Sequence, residues 1–262
     1  MIYLKEIIRI KKDVRSGYPF HMDIINQLDA LSFSQPVTLF IGENGSGKTT
    51  LLESLVSISG IVNLIPDASR KMDGPKLLSK SFKAVWQRKP SRGFYLKAQS
   101  FVNFVDNIDK MKTETAMELD ELKAKFNGRS DYALSLAAGP YNKTLAALTN
   151  RYGKGLDKMS HGEGYLELFK SRLVPKGLYI LDEPELSLSP MRQLSLISLI
   201  YEMIKQECQF IIITHSPILM ALENSKIYDF DDCIQPILYD DIEHVKLTRD
   251  FLNAPSRFLR HL

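Results

Sequence analysis

The feature that most constrains this sequence is the segment 42–49, GENGSGKT, which matches the pattern G-x-x-x-x-G-K-[ST] at every position. Its glycines allow the backbone to curl, so that successive N–H groups point inward toward phosphate oxygens. The apolar run VTLFI at 37–41 precedes the loop, and a helical pattern at 49–59 follows it. This order predicts a phosphate-binding loop. In it, Lys48 would contact the β- and γ-phosphates of a nucleotide, and the Thr49 hydroxyl would ligate Mg²⁺.

Short apolar runs along the chain predict the fold class. The segments 2–10, 37–41, 178–181 and 210–214 are rich in β-branched and other apolar residues, and helical patterns alternate with them. Runs of this kind suit strands that are buried on both faces of a parallel sheet. We therefore predict an α/β fold of the P-loop NTPase type, with a mostly parallel sheet flanked by helices and an N-terminal antiparallel β portion.

The length of the chain predicts its domain organisation. All 262 residues are expected to form one domain, 1–262, because that length supplies a single large core. Within it, apolar residues recur at helical spacing among many charges over 101–126. We therefore expect 100–158 to be an inserted helical subdomain. The segment 247–262 has the pattern of a short amphipathic helix that is broken at Pro255.

A second candidate site follows the apolar run at 178–181. Asp182 and Glu183 come directly after this run. At the carboxyl end of a parallel strand, Asp182 can reach the Mg²⁺ shell. Glu183, one residue further on, could polarise a water molecule against the γ-phosphate.

Composition excludes several classes of protein and predicts the compartment. Lys and Arg number 34 and Asp and Glu 31, so the formal net charge is only +3 and does not identify a partner. Cys208 and Cys233 lack the C-x-x-C spacing of a zinc ribbon or redox dithiol. The amino terminus has no signal-peptide pattern, and the least polar stretch, 55–65, is too short to span a bilayer. We therefore expect a soluble cytoplasmic protein without membrane insertion.

Three further motifs, taken with the two above, resemble those of the ATP-binding-cassette (ABC) ATPases. The segment 160–163, SHGE, resembles the signature motif, and 214–216, THS, resembles the switch-histidine motif. Gln99, after the strand-like 93–98, resembles the lid glutamine. The sequences GENGSGK, DEPE and THSP are similar to those of the branch that contains SMC, Rad50 and RecF-like proteins. Only a short segment separates Gln99 from Ser160, so the closest resemblance is to small stand-alone bacterial predicted ATPases that have no coiled coil.

The resemblance implies the cofactors and a role for each candidate residue. It implies an ATP hydrolase that uses ATP and Mg²⁺, with Glu183 as general base, His215 as γ-phosphate sensor and Gln99 as a bridge to the metal and the attacking water. The metal would be held by Thr49, Asp182 and Gln99. Tyr18 is the only suggestion for an aromatic contact to adenine. The residues expected to contact the nucleotide are Gly42, Glu43, Asn44, Gly45, Ser46, Gly47, Lys48, Thr49, Thr50, Ser160 and Gly162.

The resemblance also implies an ATP-dependent head-to-tail homodimer, and it leaves three uses of ATP open. The first is action on DNA, in repair or maintenance, through the basic segment 70–97, where Trp86 and Tyr95 are interleaved among Lys and Arg. The second is a switch acting on a protein partner, as in phage defence, with the acidic segment 217–244 as a docking face. The alternative to both is the nucleotide-binding subunit of a membrane transporter.

Overall fold

Two β-sheets form the framework of the protein in a computed structural model that describes residues 1–10, 17–65, 73–126, 131–152 and 161–260. The strands, in chain order, are β1 Leu4–Arg9, β2 Ala30–Ser32, β3 Val37–Ile41, β4 Val62–Asn63, β5 Phe82–Trp86, β6 Gly93–Lys97, β7 Leu178–Asp182, β8 Gln209–Ile213, β9 Ser225–Asp229 and β10 Gln235–Ile237. The larger sheet has the strand order β10-β9-β3-β8-β7-β6-β4, and every pair in it is parallel except β10 with β9. The smaller sheet is antiparallel, with the order β2-β1-β5.

Helices cover both faces of the larger sheet. They are α1 Asp23–Gln27, α2 Lys48–Ser59, α3 Asp73–Ser79, α4 Ala98–Lys125, α5 Asp131–Tyr152, α6 His161–Arg172, α7 Pro190–Lys205, α8 Pro217–Met220, α9 Glu243–Asn253 and α10 Pro255–Leu259. The predicted fold class is therefore confirmed, including the mostly parallel sheet and the antiparallel N-terminal portion. No helix in the described residues is both long enough and apolar enough to cross a membrane.

The central strands β3, β7 and β8 are buried along their whole length. Their residues alternate between two hydrophobic clusters, because successive side chains of a strand point to opposite faces. On β8, Phe210 and Ile212 belong to one cluster, while Ile211 and Ile213 belong to the other. Burial on both faces explains why these segments are continuously apolar in the sequence.

Two long helices, α4 and α5, occupy most of the predicted insertion and pack against each other. The helical pattern predicted for 101–126 is confirmed by α4, which begins three residues earlier. Residues 127–130 and 153–160 lie outside the described residues. The limits 100 and 158 of a separate subdomain therefore remain a prediction.

The parallel register brings the candidate site together. Asp182 at the end of β7 is aligned with Lys97 at the end of β6 and with Ile213 at the end of β8. The loop 42–47 leaves the neighbouring β3 at the same edge of the sheet. Polar residues that are far apart in the sequence therefore meet at the carboxyl ends of parallel strands, where ligands bind in folds of this kind.

Candidate functional site

The loop between β3 and α2 has the backbone geometry that its glycines predict. Gly42, Gly45 and Gly47 adopt φ angles of +126°, +89° and +95°, a region that residues with a side chain rarely enter. Gly47 is the residue immediately before α2, and Lys48 is the first residue of that helix. The loop therefore ends on a helix amino terminus, whose free N–H groups and positive dipole favour an anion.

Lys48 lies inside this loop. Its ammonium donates hydrogen bonds to the carbonyls of Gly42 and Glu43, at 2.8 and 2.6 Å, and to the Ser46 hydroxyl at 3.1 Å. The residue is 5% exposed, and burial lowers its pKa although nearby carboxylates, first Asp231, act in the opposite direction. The loop thus holds a cation at its centre, where a phosphate would be bound.

Asp231, which the sequence analysis did not single out, supports the start of the loop. Its Oδ1 accepts a hydrogen bond from the backbone N–H of Glu43 at 2.5 Å. A Cβ atom on Gly42 would lie 2.7 Å from the same oxygen, so a larger residue cannot replace Gly42 without moving the carboxylate. One exposed member of the acidic segment 217–244 therefore also supports the phosphate loop.

The acidic site after β7 lies against this loop. Asp182 is 1% exposed, and its Oδ1 accepts a hydrogen bond from the Thr49 hydroxyl at 3.5 Å. The buried Tyr95 hydroxyl donates to its Oδ2 at 3.3 Å, and the Lys97 ammonium lies 3.6 Å from that oxygen. Asp182 and Thr49, which are predicted to share a metal ion, are thus neighbours in the structure.

Glu183 lines the cleft at the phosphate loop, and His215 lies beside Glu183. Glu183 has a φ of 52°, a left-handed conformation that costs a residue with a side chain about 1–2 kcal/mol. The His215 Nε2 lies 3.6 Å from Glu183 Oε1. Burial lowers the pKa of His215, and the Lys48 ammonium lowers it further. The imidazole is therefore neutral at neutral pH and can donate or accept a hydrogen bond.

The cleft itself suits a nucleotide with Mg²⁺. It has a volume of about 220 Å³, and its lining includes Tyr18, Lys48, Thr49 and Glu183. The Thr49 hydroxyl and the Asp182 carboxylate are hard oxygen donors, and Mg²⁺ in phosphate sites uses one or two protein oxygens together with water and phosphate. In the part of the chain that the structure describes, no group of three or more His, Cys, Asp or Glu could hold a metal ion by itself. The donors present therefore fit Mg²⁺ bound together with a phosphate.

Two protein-family models match the chain. Residues 117–221 match the model described as "AAA domain, putative AbiEii toxin, Type IV TA system", and residues 21–126 match a model described as "AAA domain". The two matches together extend from the segment before the phosphate loop to the helix after His215. Both matched segments are similar to AAA domains, and the chain is an ATPase. No curated protein sequence matches it.

Three solved structures similar to this ATPase are an ABC transporter component and two SMC head domains. The cbiO1 protein from Clostridium perfringens, part of the ABC transporter complex cbiONQ, is 18% identical, with 100% of each chain covered and a TM-score of 0.52. The SMC head domain from Thermotoga maritima is 17% identical over 90% of this chain and 100% of that chain, with a TM-score of 0.42. The Smc head domain from Pyrococcus furiosus is 13% identical over 96% of this chain and 100% of that chain, with a TM-score of 0.45. At these identities, the likeness to cbiO1 concerns the fold alone.

The remaining predicted site residues of the ATPase lie at different distances from the cleft. Asn44 and Gly45 line it, and Thr50 lies beside Tyr18, whose hydroxyl is 2.9 Å from the Thr50 hydroxyl. Gln99 is exposed in the first turn of α4, and its amide donates to Asn103 at 3.1 Å. Gly162 is in the first turn of α6, whereas Ser160 lies outside the described residues. The roles predicted for Gln99, Ser160 and Gly162 remain predictions.

The basic segment 70–97 contributes to the ATPase site in a way that the sequence did not predict. Tyr95 is 2% exposed and bonds to Asp182 and to Glu53. Lys97 lies beside Asp182. The interpretation of Tyr95 as an aromatic nucleic-acid contact is therefore wrong, because a buried ring cannot stack on a base. Residues 70–72 lie outside the described residues.

Proposed function

We propose that this cleft performs Mg²⁺-dependent ATP hydrolysis and that the reaction switches a head-to-tail homodimer between two states. The observation that carries the proposal is the position of Glu183, which lines the cleft together with Lys48 and Thr49 and lies 3.6 Å from His215. A carboxylate beside a neutral imidazole, facing a phosphate loop, can take a proton from water while the imidazole hydrogen-bonds the γ-phosphate.

Each residue has a distinct part in the proposed reaction. Lys48 and the N–H groups of the loop 42–50 bind the phosphates. Thr49 and Asp182 would hold Mg²⁺, which neutralises charge on the β- and γ-phosphates. Glu183 accepts the proton of the attacking water. Gln99 would hold the metal through its amide oxygen, since the bond to Asn103 uses its amide nitrogen.

The amino terminus of α6 is proposed to act across the dimer. This helix has twelve residues and begins at His161, and its first N–H groups have no partner within the helix. In the proposed dimer these groups, with Ser160 and Gly162, bind the γ-phosphate held by the other protomer. Hydrolysis removes the shared group and shifts the population toward separate protomers.

Two variants test the hydrolytic part of this proposal. Glu183→Gln should bind ATP, turn over about a hundredfold more slowly because the general base is lost, and accumulate as a dimer with ATP. Lys48→Ala should lose ATP binding. Steady-state phosphate release, equilibrium ATP binding and light scattering measure the three quantities, with the exposed Glu202→Gln on α7 as control. Undiminished turnover in Glu183→Gln would remove Glu183 from the role of base.

We propose that the partner of the switch is a protein and that the switch acts in the cytoplasm. The description of one matching family model reads "putative AbiEii toxin, Type IV TA system". This description supports a protein as the partner. The burial of Tyr95 removes one of the two aromatic residues on which DNA binding through 70–97 rested. Both cysteines are free, in keeping with a reducing compartment.

The partner classes can be separated by measuring ATP hydrolysis with and without linear duplex DNA at two salt concentrations. A rate unchanged by DNA agrees with the protein-partner proposal. A several-fold stimulation that falls steeply with salt would instead establish DNA as the partner, because phosphate contacts are salt-dependent. The transporter alternative, the role of the cbiO1 complex, predicts stimulation by a membrane permease and none by DNA.

A further inference from the structure

The side chain of Glu185 connects the two turns that carry Glu183 and His215. Glu185 lies in the short 3₁₀ turn Pro184–Ser187, directly after Glu183. Its Oε1 accepts a hydrogen bond from the backbone N–H of His215 at 2.5 Å, although 30 residues separate the two in sequence. One carboxyl oxygen therefore connects the turn after β7 to the turn after β8.

A main-chain bond supplies the other connection between these turns. The N–H of Glu183 donates to the carbonyl of Ile213 at 3.0 Å, which continues the ladder between β7 and β8. Beyond that bond the strands have ended, and the His215 N–H has Glu185 as its partner. The bond from Glu185 therefore acts at the residue whose imidazole lies 3.6 Å from Glu183.

The surroundings of Glu185 make its negative charge costly. Burial raises the pKa of this carboxyl, and the nearby Glu183 carboxylate raises it further. Within the described residues, its second oxygen, Oε2, has no hydrogen-bond partner, and neither has the fully buried Tyr165 hydroxyl. A buried acid next to another acid costs free energy that a neutral side chain would not. The feature of Glu185 that the structure uses is therefore its acceptor oxygen rather than its charge, since Oε1 holds the His215 N–H.

We propose that Glu185 is a positioning residue that sets the His215 imidazole against Glu183 by holding the His215 backbone N–H. The catalytic consequence rests on the roles proposed above for His215 and Glu183, but the positioning itself does not. The acceptor oxygen is the essential part, so a glutamine should serve in place of the acid, whereas an alanine should release the turn.

The experiment compares Glu185→Ala, Glu185→Gln and the control Glu202→Gln in the full chain. The first readout is the ¹³C and ¹⁵N resonances of the His215 imidazole, assigned among the five histidines with His215→Ala. Glu185→Ala should shift these resonances, and Glu185→Gln should restore them. The second readout is kcat and KM for ATP. Glu185→Ala should lower kcat about tenfold or more, because a small displacement of a catalytic group is costly, with KM changed less than about twofold.

The outcomes separate this inference from the proposed function. Unchanged His215 resonances in Glu185→Ala would overturn the inference, and so would a glutamine variant that behaves like the alanine variant. Shifted resonances that glutamine restores support the positioning, even if His215→Ala hydrolyses ATP at the normal rate. That last result would refute the proposed role of His215 and leave its positioning by Glu185 intact.

Discussion

Gln209 joins the antiparallel sheet to the parallel sheet, and replacing it should destabilise the protein strongly. Its Oε1 accepts hydrogen bonds from the backbone N–H groups of Tyr3 and Leu4, at 2.8 and 2.9 Å. Its Nε2 donates to the Leu4 carbonyl at 3.0 Å. Gln209 is fully buried, and Tyr3 and Leu4 are 3% and 1% exposed. One amide therefore satisfies three buried backbone groups on β1 and the residue before it.

The substitution Gln209→Leu replaces the amide with an apolar side chain of similar size. It therefore removes all three bonds. Each buried group left without a partner costs about 1–3 kcal/mol, so the lower end of the range gives about 3 kcal/mol in total. That loss is a large share of the typical 5–15 kcal/mol free energy of unfolding. For a chain of this length it corresponds to a fall of about 6–12 °C in Tm.

Urea unfolding followed by far-ultraviolet circular dichroism measures the free energy of unfolding, and calorimetry measures Tm. Gln235→Leu is the matched control, because Gln235 also begins a strand but is exposed. The control should change stability by less than about 0.5 kcal/mol. A loss below about 1 kcal/mol in Gln209→Leu, no larger than one ordinary hydrogen bond, would refute the claim that this amide joins the two sheets.

Further predictions concern the phosphate loop and the buried acid. Gly42→Ala should weaken ATP binding about tenfold or more, because φ is +126° and the new Cβ would meet Asp231; Gly139→Ala, on α5 with open space around it, should leave binding unchanged. Burial raises the pKa of Glu185 above its ordinary 4.5. The stability that its proton contributes is therefore present below about pH 4.5 and is lost as pH rises through the folded-state pKa. When pH is raised from 4.5 to neutral, the free energy of unfolding should fall less in Glu185→Gln than in the natural chain. Urea midpoints measured at pH 4.5 and at neutral pH test this.

Local pattern was enough to predict the elements of the fold that carry the site. β3, β7 and β8 are predicted within a residue or two, because strands buried on both faces must be continuously apolar. The boundaries differ where hydrogen bonding rather than hydropathy ends an element. Asp182 is polar, yet it pairs with both neighbouring strands and belongs to β7.

Interpretation of the charged segments was less successful, because charge density along a sequence does not say where side chains point. Tyr95 and Lys97 were grouped with a basic surface, but β6 directs both toward Asp182. Asp231 was grouped with an acidic docking face, yet it bonds the backbone of Glu43. Tyr95 and Lys97 lie on one face of β6 because side chains alternate along a strand, whereas Asp231 reaches Glu43 from the bend after β9.

The phosphate loop, the α/β class and the order of the motifs were set by the sequence alone, because each depends on neighbours along the chain: glycines for a curled backbone, apolar runs for buried strands. The contacts of Asp231 with Glu43, of Lys97 with Asp182 and of Glu185 with His215 came only with the tertiary structure. Those pairs are distant in sequence, and parallel strand register, which no local pattern specifies, brings them to one edge of the sheet.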